Sequence, residues 1–265
     1  MKDLDLIDNL FSVKDKVVLI TGGGGVASVN ARGFAKNGAK VILATRRLEQ
    51  AEEMKQKLEK IGLTIDVCKM DISKKESIQG AVDRLIEKYG RIDVLIHTAA
   101  NCYVENTIDF SEERLRCTLD VNLLGTIFVN QVVGKEMSKR GFGRIINYNS
   151  IDAYSVNAND AMAYAVSKSG VMQATRFFAT ELAKSGVTVN GIAPIWIETP
   201  MLKQRPASYL ENAAKQVPMG KISVAEDYLG TAYFLAGEGS SFITGQTFLV
   251  DGGWSCYRVF EYNKE

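Results

Sequence analysis

The sequence predicts an α/β fold in which a doubly wound parallel β-sheet carries helices on both faces. Strand and helix patterns alternate from Lys16 to Val250, which is typical of consecutive β–α units. A buried strand near the start runs directly into four glycines and then into a helix. The length of 265 residues suits one large α/β unit. We therefore interpret residues 1–265 as a single domain, with a core over 12–254 and a C-terminal tail over 255–265.

The first β–α–β unit begins with the apolar, β-branched strand Lys16–Thr21. The glycine run Gly22–Gly25 follows, and then a segment of helical composition, Val26–Asn37, which Gly38 closes. A second apolar strand covers Lys40–Ala44. This Rossmann-like unit presents backbone N–H groups and a helix N-terminus to a pyrophosphate. A flexible linker would also explain the glycines, but a linker is not held between a buried strand and a helix.

Helices and strands continue in alternation along the chain. The helix Arg47–Ile61 and the helix Lys74–Tyr89 each carry one apolar stripe, and we expect both stripes to face the core. The stripes are Ala51, Met54, Leu58 and Ile61 in the first helix, and Ile78, Ala81, Val82, Leu85, Ile86 and Tyr89 in the second. Further buried strands are predicted at Ile65–Met70, Ile92–Ile96, Gly143–Ser150 and Val189–Pro194, with a last strand inside Phe242–Trp254.

Tyr164 and Lys168 are four residues apart, so they lie on one face of a helix, one turn from each other. A free phenol has a pKa of about 10 and is a poor base at neutral pH. A neighbouring ammonium favours the phenolate and lowers that pKa. Lowering it by roughly 3 units requires about 4 kcal/mol. The spacing alone is common in helices, where Tyr often lies at the rim of the core and Lys in solvent.

These motifs together resemble the short-chain dehydrogenase/reductase family, from about Phe11 to Trp254. That family has T-G-x-x-x-G-x-G at the first turn. The turn here is one residue shorter, with Gly22 and Gly25 as the first two glycines and Ala27 in place of the third. The resemblance implies that Tyr164 exchanges a proton with the substrate and that Ser150 orients it. It also implies that Lys168 holds the nicotinamide ribose, and that Asn122 holds a water in a proton relay behind Lys168.

Three departures from the family pattern stand out. The segment His97-Thr98-Ala99-Ala100 replaces N-N-A-G and matches only at Ala99; we expect His97, the sole histidine, to be structural. The gap between Ser150 and Tyr164 is one residue longer than is common, and we place the extra residue within 157–160, at the rim of the cleft. Ile195 stands where the family has glycine, so we expect a slightly rerouted turn.

The end of the second strand predicts the cofactor. A carboxylate there would bind the ribose 2′-hydroxyl of NAD, but this chain has Thr45, Arg46 and Arg47. A hydroxyl and a guanidinium suit a 2′-phosphate, so we expect NADP(H) rather than NAD(H). The alternative is that both arginines are simply solvated at the start of a helix, where cations oppose the helix dipole. The resemblance implies a wider cofactor set, namely Gly22, Gly24, Gly25, Val26, Thr45, Arg46, Arg47, Asp71, Ile72, Ala99, Ala100, Tyr164, Lys168, Pro194, Ile197 and Thr199.

Composition excludes several other classes of protein. The 32 basic and 31 acidic residues leave a net charge of +1, so no basic field favours nucleic acid. No apolar run approaches the roughly 20 residues of a membrane span, and the N-terminus lacks a signal-peptide pattern. The four cysteines show no C-x-x-C spacing, so we expect no metal site and a cytoplasmic, reduced protein.

The expected activity is the reversible interconversion of a secondary alcohol and a ketone. Residues 10–13 and Phe242–Trp254 are most similar to the gluconate 5-dehydrogenase branch of the family, so we expect a sugar acid or polyol as substrate. Lys203, Arg205 and Lys221 are candidates for binding a substrate carboxylate, although such side chains are often only solvated.

Two other activities are considered. One is reduction of a 3-oxoacyl thioester on an acyl carrier protein, which requires a basic docking patch beside the cleft; Lys139, Arg140 and Lys184 are its candidates. The other is a catalytically silent nucleotide sensor, which would not need Asn122, Ser150, Tyr164 and Lys168 together.

The resemblance also carries expectations about mobile parts and assembly. Residues 200–221 should form a lid over the substrate. Members of the family usually form homotetramers, through helices around 122–140 and 164–185 and through the last strand. The tail 255–265 holds Tyr257, Val259, Phe260 and Tyr262; it either covers a neighbouring subunit's cleft or is a frayed terminus.

Overall fold

The computed structural model describes residues 6–156, 160–199, 202 and 206–256, and its centre is a seven-stranded parallel sheet. The strands are β1 (Val17–Thr21), β2 (Lys40–Thr45), β3 (Asp66–Lys69), β4 (Val94–His97), β5 (Gly143–Tyr148), β6 (Val187–Pro194) and β7 (Thr247–Val250). Their order is β3-β2-β1-β4-β5-β6-β7. The chain therefore winds one way from β1 to β3 and the other way from β4 to β7, which confirms the predicted doubly wound sheet.

Helices cover both faces of the sheet. They are α1 (Leu6–Phe11), α2 (Gly25–Lys36), α3 (Leu48–Glu59), α4 (Lys75–Tyr89), α5 (Glu112–Leu119), α6 (Gly125–Arg140), α7 (Met162–Leu182), α8 (Ala207–Gln216) and α9 (Leu229–Ala236). Successive strand residues point to opposite faces: Val18 and Ile20 pack with α2, α3 and α9, whereas Val17 and Leu19 pack with α4, α6 and α7. Burial on both faces explains why the strands are continuous apolar runs.

The predicted apolar stripes of α3 and α4 face the core, with one exception. Ala51 and Leu58 are buried and Met54 packs against them, but Ile61 is 62% exposed. The helix ends at Glu59 and Gly62 turns the chain with φ +76°, so Ile61 lies in the turn rather than on the helical face. The prediction that Ile61 faces the core was therefore wrong.

Residues Glu112–Arg140 form one helical run of 29 residues that contains α5 and α6. Its length and the mean hydropathy of 1.2 over its most apolar 18 residues would suffice to cross a membrane, but half of that window is buried in the fold. The run packs against α4 and α7 as a core helix does. A single π-helical turn at Asp120–Leu124 interrupts it, and such turns often occur at functional sites.

Candidate active site

A cleft of about 790 Å³ opens at the carboxyl ends of the central strands, where the winding direction reverses. Thr98 follows β4, Asn149 follows β5 and Pro194 ends β6, and all three line the cleft. Ligands bind at this position in open α/β sheets. The cleft is also lined by Val26, Ala100, Asn101, Cys102, Ser150, Asp152, Asp160, Tyr164, Lys168, Ile195, Trp196, Ile197, Thr199, Leu202 and Tyr209.

Tyr164 and Lys168 project from the first turns of α7 into this cleft. Lys168 is 4% exposed, and its Nζ donates a hydrogen bond to the Tyr148 carbonyl oxygen at 2.7 Å. The same Nζ lies 5.5 Å from the centre of the Tyr164 ring. Burial lowers the pKa of Lys168 to about 8, although Cys102 and Asp152 oppose this effect. The predicted pair is therefore brought together, with the ammonium above the face of the Tyr164 ring.

The phenol of Tyr164 does not have the lowered pKa that the spacing suggests. Burial raises its pKa above the ordinary value, and the nearby charges of Asp152 and Cys102 raise it further. A hydrogen bond with Ser150 offsets only part of this rise. In the protein alone, Lys168 does not bring the pKa of Tyr164 below its ordinary value, because the desolvation of the phenol outweighs it. The lowering of this pKa with a bound cofactor stays a prediction. Tyr164 is accordingly a neutral phenol at pH 7 and suits the role of proton donor.

Ser150 follows β5 and is held by its own turn. Its Oγ donates to Asp152 Oδ2 at 2.9 Å and accepts from the Asp152 backbone N–H at 3.2 Å. Burial raises the pKa of Asp152, against the opposing hydrogen bond from Ser150 and the charge of Lys168. We missed Asp152 in the sequence. The available signal was a carboxylate two residues after the serine that ends a central strand.

Asn122 lies in the π-helical turn and is fully buried. Its Nδ2 donates to the Asn101 carbonyl oxygen at 2.8 Å and to Ser167 Oγ at 3.1 Å, while its Oδ1 accepts from the Asn101 N–H at 2.8 Å. These bonds clamp the cleft wall at Asn101 onto α7. The water relay that the resemblance assigns to Asn122 stays a prediction.

His97 satisfies both of its ring nitrogens inside the fold. Nδ1 lies 2.7 Å from Thr21 Oγ1, and Nε2 lies 3.0 Å from Thr126 Oγ1. Burial, assisted by the charge of Lys168, lowers the pKa of His97 to about 3, so the imidazole is neutral. The prediction of a structural histidine is confirmed.

The glycine turn forms an open cradle at the start of α2. Gly22 has φ +111°, and a Cβ there would lie 2.7 Å from Thr98 Oγ1. Gly24 is the N-cap and Gly25 the first helical residue, and a Cβ at either would meet nothing within 4 Å. Ala27 is fully buried, which allows the close packing of helix on strand that the family's third glycine provides. Free N–H groups at an uncrowded helix N-terminus fit a pyrophosphate.

The adenosine end carries the predicted polar groups. Thr45 is 8% exposed, whereas the neighbouring Arg46 and Arg47 are exposed, and no ion pair within the described part of the chain engages either arginine. Despite the opposing effect of burial, hydrogen bonds from Ser73 and the charge of Arg46 lower the pKa of Asp71. Arg46 therefore lies close enough to Asp71 for its charge to act on that carboxyl group. Ile72 is buried beside it.

The nicotinamide end fits as well. Pro194, Ile197, Thr199 and Ala100 line the cleft, and Ala99 borders Gly22. Two buried polar atoms at the cleft wall, Asn149 Nδ2 and Asn101 Oδ1, lack a hydrogen-bond partner within the described residues. A polar ligand in the cleft would satisfy such atoms. The residues present therefore fit a nicotinamide dinucleotide.

The backbone at Ile195 is not strained, although the family has glycine at this position. It is 6% exposed and packs with Ile151 and Val217. Among the described residues only Asp15 combines a side chain with positive φ, so the turn after β6 has no need of glycine.

The predicted lid is described only in part. Leu202 and Tyr209 line the cleft, and α8 lies within the described part of the lid. Lys221 is exposed, lies 3.8 Å from Asp227 and does not line the cleft, which agrees with the alternative that this side chain is only solvated. Several residues named from the sequence lie outside the described residues, namely Lys203, Arg205, residues 157–159 of the stretch 157–160 in which the extra residue was placed, and Tyr257, Val259, Phe260 and Tyr262 of the tail.

Comparisons with known proteins agree with this geometry. The family model described as enoyl-(acyl carrier protein) reductase matches residues 22–255. The chain is 36% identical to a 2-dehydro-3-deoxy-D-gluconate 5-dehydrogenase of Bacillus subtilis over 251 residues, covering 94% of this chain and 98% of that protein. It is 33% identical to the 3-oxoacyl-[acyl-carrier-protein] reductase of Thermotoga maritima, covering 91% and 98%.

A solved structure is also similar. It is a gluconate 5-dehydrogenase from Burkholderia cenocepacia in complex with NADP and tartrate. The TM-score is 0.89 at 29% identity, and the match covers 94% of this chain and 99% of that one.

Proposed function

Because the chain belongs to the short-chain dehydrogenase/reductase family, we propose that it interconverts a secondary alcohol and a ketone of a sugar acid or polyol, using NADP(H). That it is an oxidoreductase acting on alcohol and ketone groups follows from the family itself. The observation that carries the proposal is the convergence of Ser150, Tyr164 and Lys168 on one cleft that continues into the glycine cradle.

Proton transfer is the task of Tyr164. A bound nicotinamide supplies or accepts the hydride. Tyr164, neutral because burial raises its pKa, donates its proton to the carbonyl oxygen during reduction. During oxidation the phenol must first lose that proton, and nearby positive charge is what favours this loss. Lys168, fixed on the Tyr148 carbonyl, is the nearest cation to the ring.

Ser150 has the complementary task of holding the substrate oxygen. Its Oγ is fixed by Asp152 and shares a hydrogen bond with Tyr164. A substrate oxygen between the two hydroxyls would contact both. Asn122 holds the backbone of Asn101, another residue of the cleft wall, through two hydrogen bonds. We also propose that Asn122 holds a water in a proton relay behind Lys168.

The preference for NADP(H) is supported by charge. Arg46 and Arg47 are exposed cations beside Thr45, and no carboxylate occupies the end of β2. An unengaged guanidinium can grip a 2′-phosphate bidentately. The Burkholderia relative was crystallised with NADP, which agrees with this assignment.

A carrier-protein substrate is less consistent with the fold. Lys139 and Arg140 end α6 just before β5, and Lys184 lies just before β6. They therefore lie at the amino ends of the strands, whereas the cleft opens at the carboxyl ends. Lys139 is also paired with Glu136 at 2.6 Å. These residues do not form the docking patch that an acyl carrier protein would need beside the cleft.

We further propose a cytoplasmic homotetramer. Val166 and Phe177 on α7 are 51% and 70% exposed, and Leu249 on the edge strand β7 is 40% exposed. Exposed apolar side chains on the helices and on the last strand are consistent with burial between subunits. None of the four cysteines forms a disulfide within the described residues, in keeping with a reducing compartment.

The test is a paired activity screen that follows absorbance of the reduced nicotinamide. Gluconate, other sugar acids and polyols are offered with NADP⁺ and NAD⁺, and acetoacetyl thioesters and simple ketones with NADPH and NADH. Turnover of a sugar acid or polyol with NADP⁺ is the expected result. Turnover of thioesters alone would replace the proposal with the carrier-protein reductase, and silence on every substrate with NADPH binding intact would favour the sensor.

A further inference from the structure

Asp152 is a carboxylate of the cleft wall beside Ser150 and Tyr164. Its Oδ2 accepts the Ser150 hydroxyl proton at 2.9 Å, and its charge acts on both Tyr164 and Lys168. A substrate oxygen bound by Ser150 would lie at hydrogen-bond distance, about 2.7 Å, from Oγ. The Asp152 carboxylate would then lie within about 6 Å of the reacting oxygen, a distance that suits a substituent on the carbon next to the reacting one.

The charged groups next to Ser150 and Tyr164 are one carboxylate and one ammonium. Among the described lining residues they are Asp152, which accepts from Ser150 Oγ, and Lys168. Lys168 is buried and its Nζ is held by the Tyr148 carbonyl, so it cannot reach out to an anionic substituent. The rest of the wall near Ser150 combines apolar side chains, including Ile151 and Ile195, with the amide of Asn149. Asp152 therefore offers a hydrogen-bond acceptor and a negative charge beside Ser150.

We propose that Asp152 is a specificity-determining residue that accepts a hydrogen bond from a hydroxyl on the carbon next to the reacting carbon, and excludes a carboxylate from that position. The inference rests on the proposed alcohol–ketone activity and narrows its substrate class. Sugar acids remain substrates only when their carboxylate is remote from the reacting carbon, towards Leu202 and Tyr209. A 3-oxoacyl thioester has no such hydroxyl and is disfavoured.

The test uses three ketones of the form CH₃–CO–CH₂–X, where X is hydroxyl (hydroxyacetone), ammonium (aminoacetone) or carboxylate (acetoacetate). The kcat/KM of each with NADPH is compared in the wild type and in Asp152→Asn. A unit charge about 6 Å away at an effective permittivity of about 20 changes an equilibrium about 100-fold, and partial solvent access reduces this to about tenfold. Asp152→Asn should therefore raise kcat/KM for acetoacetate at least about tenfold and lower that for aminoacetone by a similar factor.

Hydroxyacetone separates charge from hydrogen bonding. Asparagine retains an acceptor oxygen, so kcat/KM for hydroxyacetone should change less than about fivefold in Asp152→Asn. Alanine has no acceptor, so kcat/KM for hydroxyacetone should fall about tenfold or more in Asp152→Ala. Asp83→Asn removes one exposed charge from α4, outside the cleft, and should leave all three ratios unchanged. An ammonium-to-carboxylate ratio that stays within about twofold of wild type in Asp152→Asn overturns the inference.

A binding measurement keeps this result separate from the fate of the proposed function. The dissociation constants of glycerol and glycerate for the NADPH-loaded protein are measured through tryptophan fluorescence, since Trp196 lines the cleft. Asp152→Asn should tighten glycerate relative to glycerol about tenfold. Absence of turnover with any ketone would refute the alcohol–ketone activity, while the glycerate-to-glycerol ratio would still decide the role of Asp152. Unchanged NADPH affinity in each variant shows that the fold is retained.

Discussion

Two glycine substitutions separate the role of the first turn in folding from its role in cofactor binding. Gly22→Ala places a methyl group 2.7 Å from Thr98 Oγ1 and 3.2 Å from the Ala99 backbone nitrogen, at φ +111°. The backbone strain costs about 1–2 kcal/mol and the overpacking about 1–3 kcal/mol. We therefore expect the free energy of unfolding to fall by about 2–5 kcal/mol. For a chain of this size, the midpoint of thermal unfolding should drop by roughly 4–20 °C.

Gly25→Ala is the matched variant with the opposite expectation for stability. Gly25 is the first residue of α2, and an added Cβ meets nothing within 4 Å. Alanine in a helix is favoured over glycine by roughly 0.5–1 kcal/mol, so the cofactor-free protein should be equally or slightly more stable. The methyl group would, however, occupy the approach of the pyrophosphate. Loss of one charge-assisted hydrogen bond of about 1.5–3 kcal/mol corresponds to at least about tenfold weaker NADPH binding.

The two effects are measured separately. Thermal and urea unfolding of the cofactor-free proteins gives stability, and NADPH fluorescence titration gives affinity. A Gly25→Ala variant that binds NADPH as tightly as the wild type would refute the cradle at the start of α2. A Gly22→Ala variant with unchanged stability would refute the close approach to Thr98.

Cofactor preference, pH dependence and assembly give three further tests. Thr45→Asp should lower affinity for NADPH by about 100-fold and leave NADH affinity within about threefold, because a carboxylate at the end of β2 repels a 2′-phosphate. An equal loss of affinity for both cofactors would contradict the proposal that Arg46, beside Thr45, binds the 2′-phosphate. Because burial raises the pKa of Tyr164, the rate of oxidation should increase with rising pH through about 9. The rate of reduction should stay constant from about pH 6 until Lys168 loses its charge near a pKa of about 8. An oxidation rate that levels off below about pH 7 would refute the raised pKa of Tyr164. If the protein is the proposed tetramer, Phe177→Glu should give a smaller particle mass by light scattering, whereas Ile108→Glu, at an 89% exposed position outside α6 and α7, should leave the mass unchanged. An unchanged mass in Phe177→Glu would exclude α7 from the proposed interface.

The sheet and most of its helices could be predicted because parallel strands are buried on both faces. That burial makes each strand an uninterrupted apolar run, as in β1 and β4, and it makes each covering helix amphipathic, as in α4. The boundaries were right to within a few residues. The prediction for Ile61 was wrong because the periodicity of apolar residues does not show where α3 ends. The helix ends at Glu59, and Ile61 lies in the turn that Gly62 forms.

The chemistry of the site was predictable in its residues and less so in its electrostatics. Spacing places Tyr164 beside Lys168, but the pKa of the phenol depends on burial and on charges from other elements, Asp152 above all. Asp152 itself is two residues from Ser150, and only the fold shows that its carboxylate turns back into the cleft. Likewise, the position of Lys139 at the opposite end of the sheet follows from strand direction, which composition alone does not give.

The most direct test of the central claim is the comparison of the wild type with Tyr164→Phe on a ketone that the screen identifies. The phenyl ring retains the packing of Tyr164 but has no proton to donate. We expect kcat to fall by about 10²–10⁴-fold while the NADPH dissociation constant changes by less than about threefold. A Tyr164→Phe variant that retains kcat within about fivefold of wild type would contradict the assignment of Tyr164 as the proton donor.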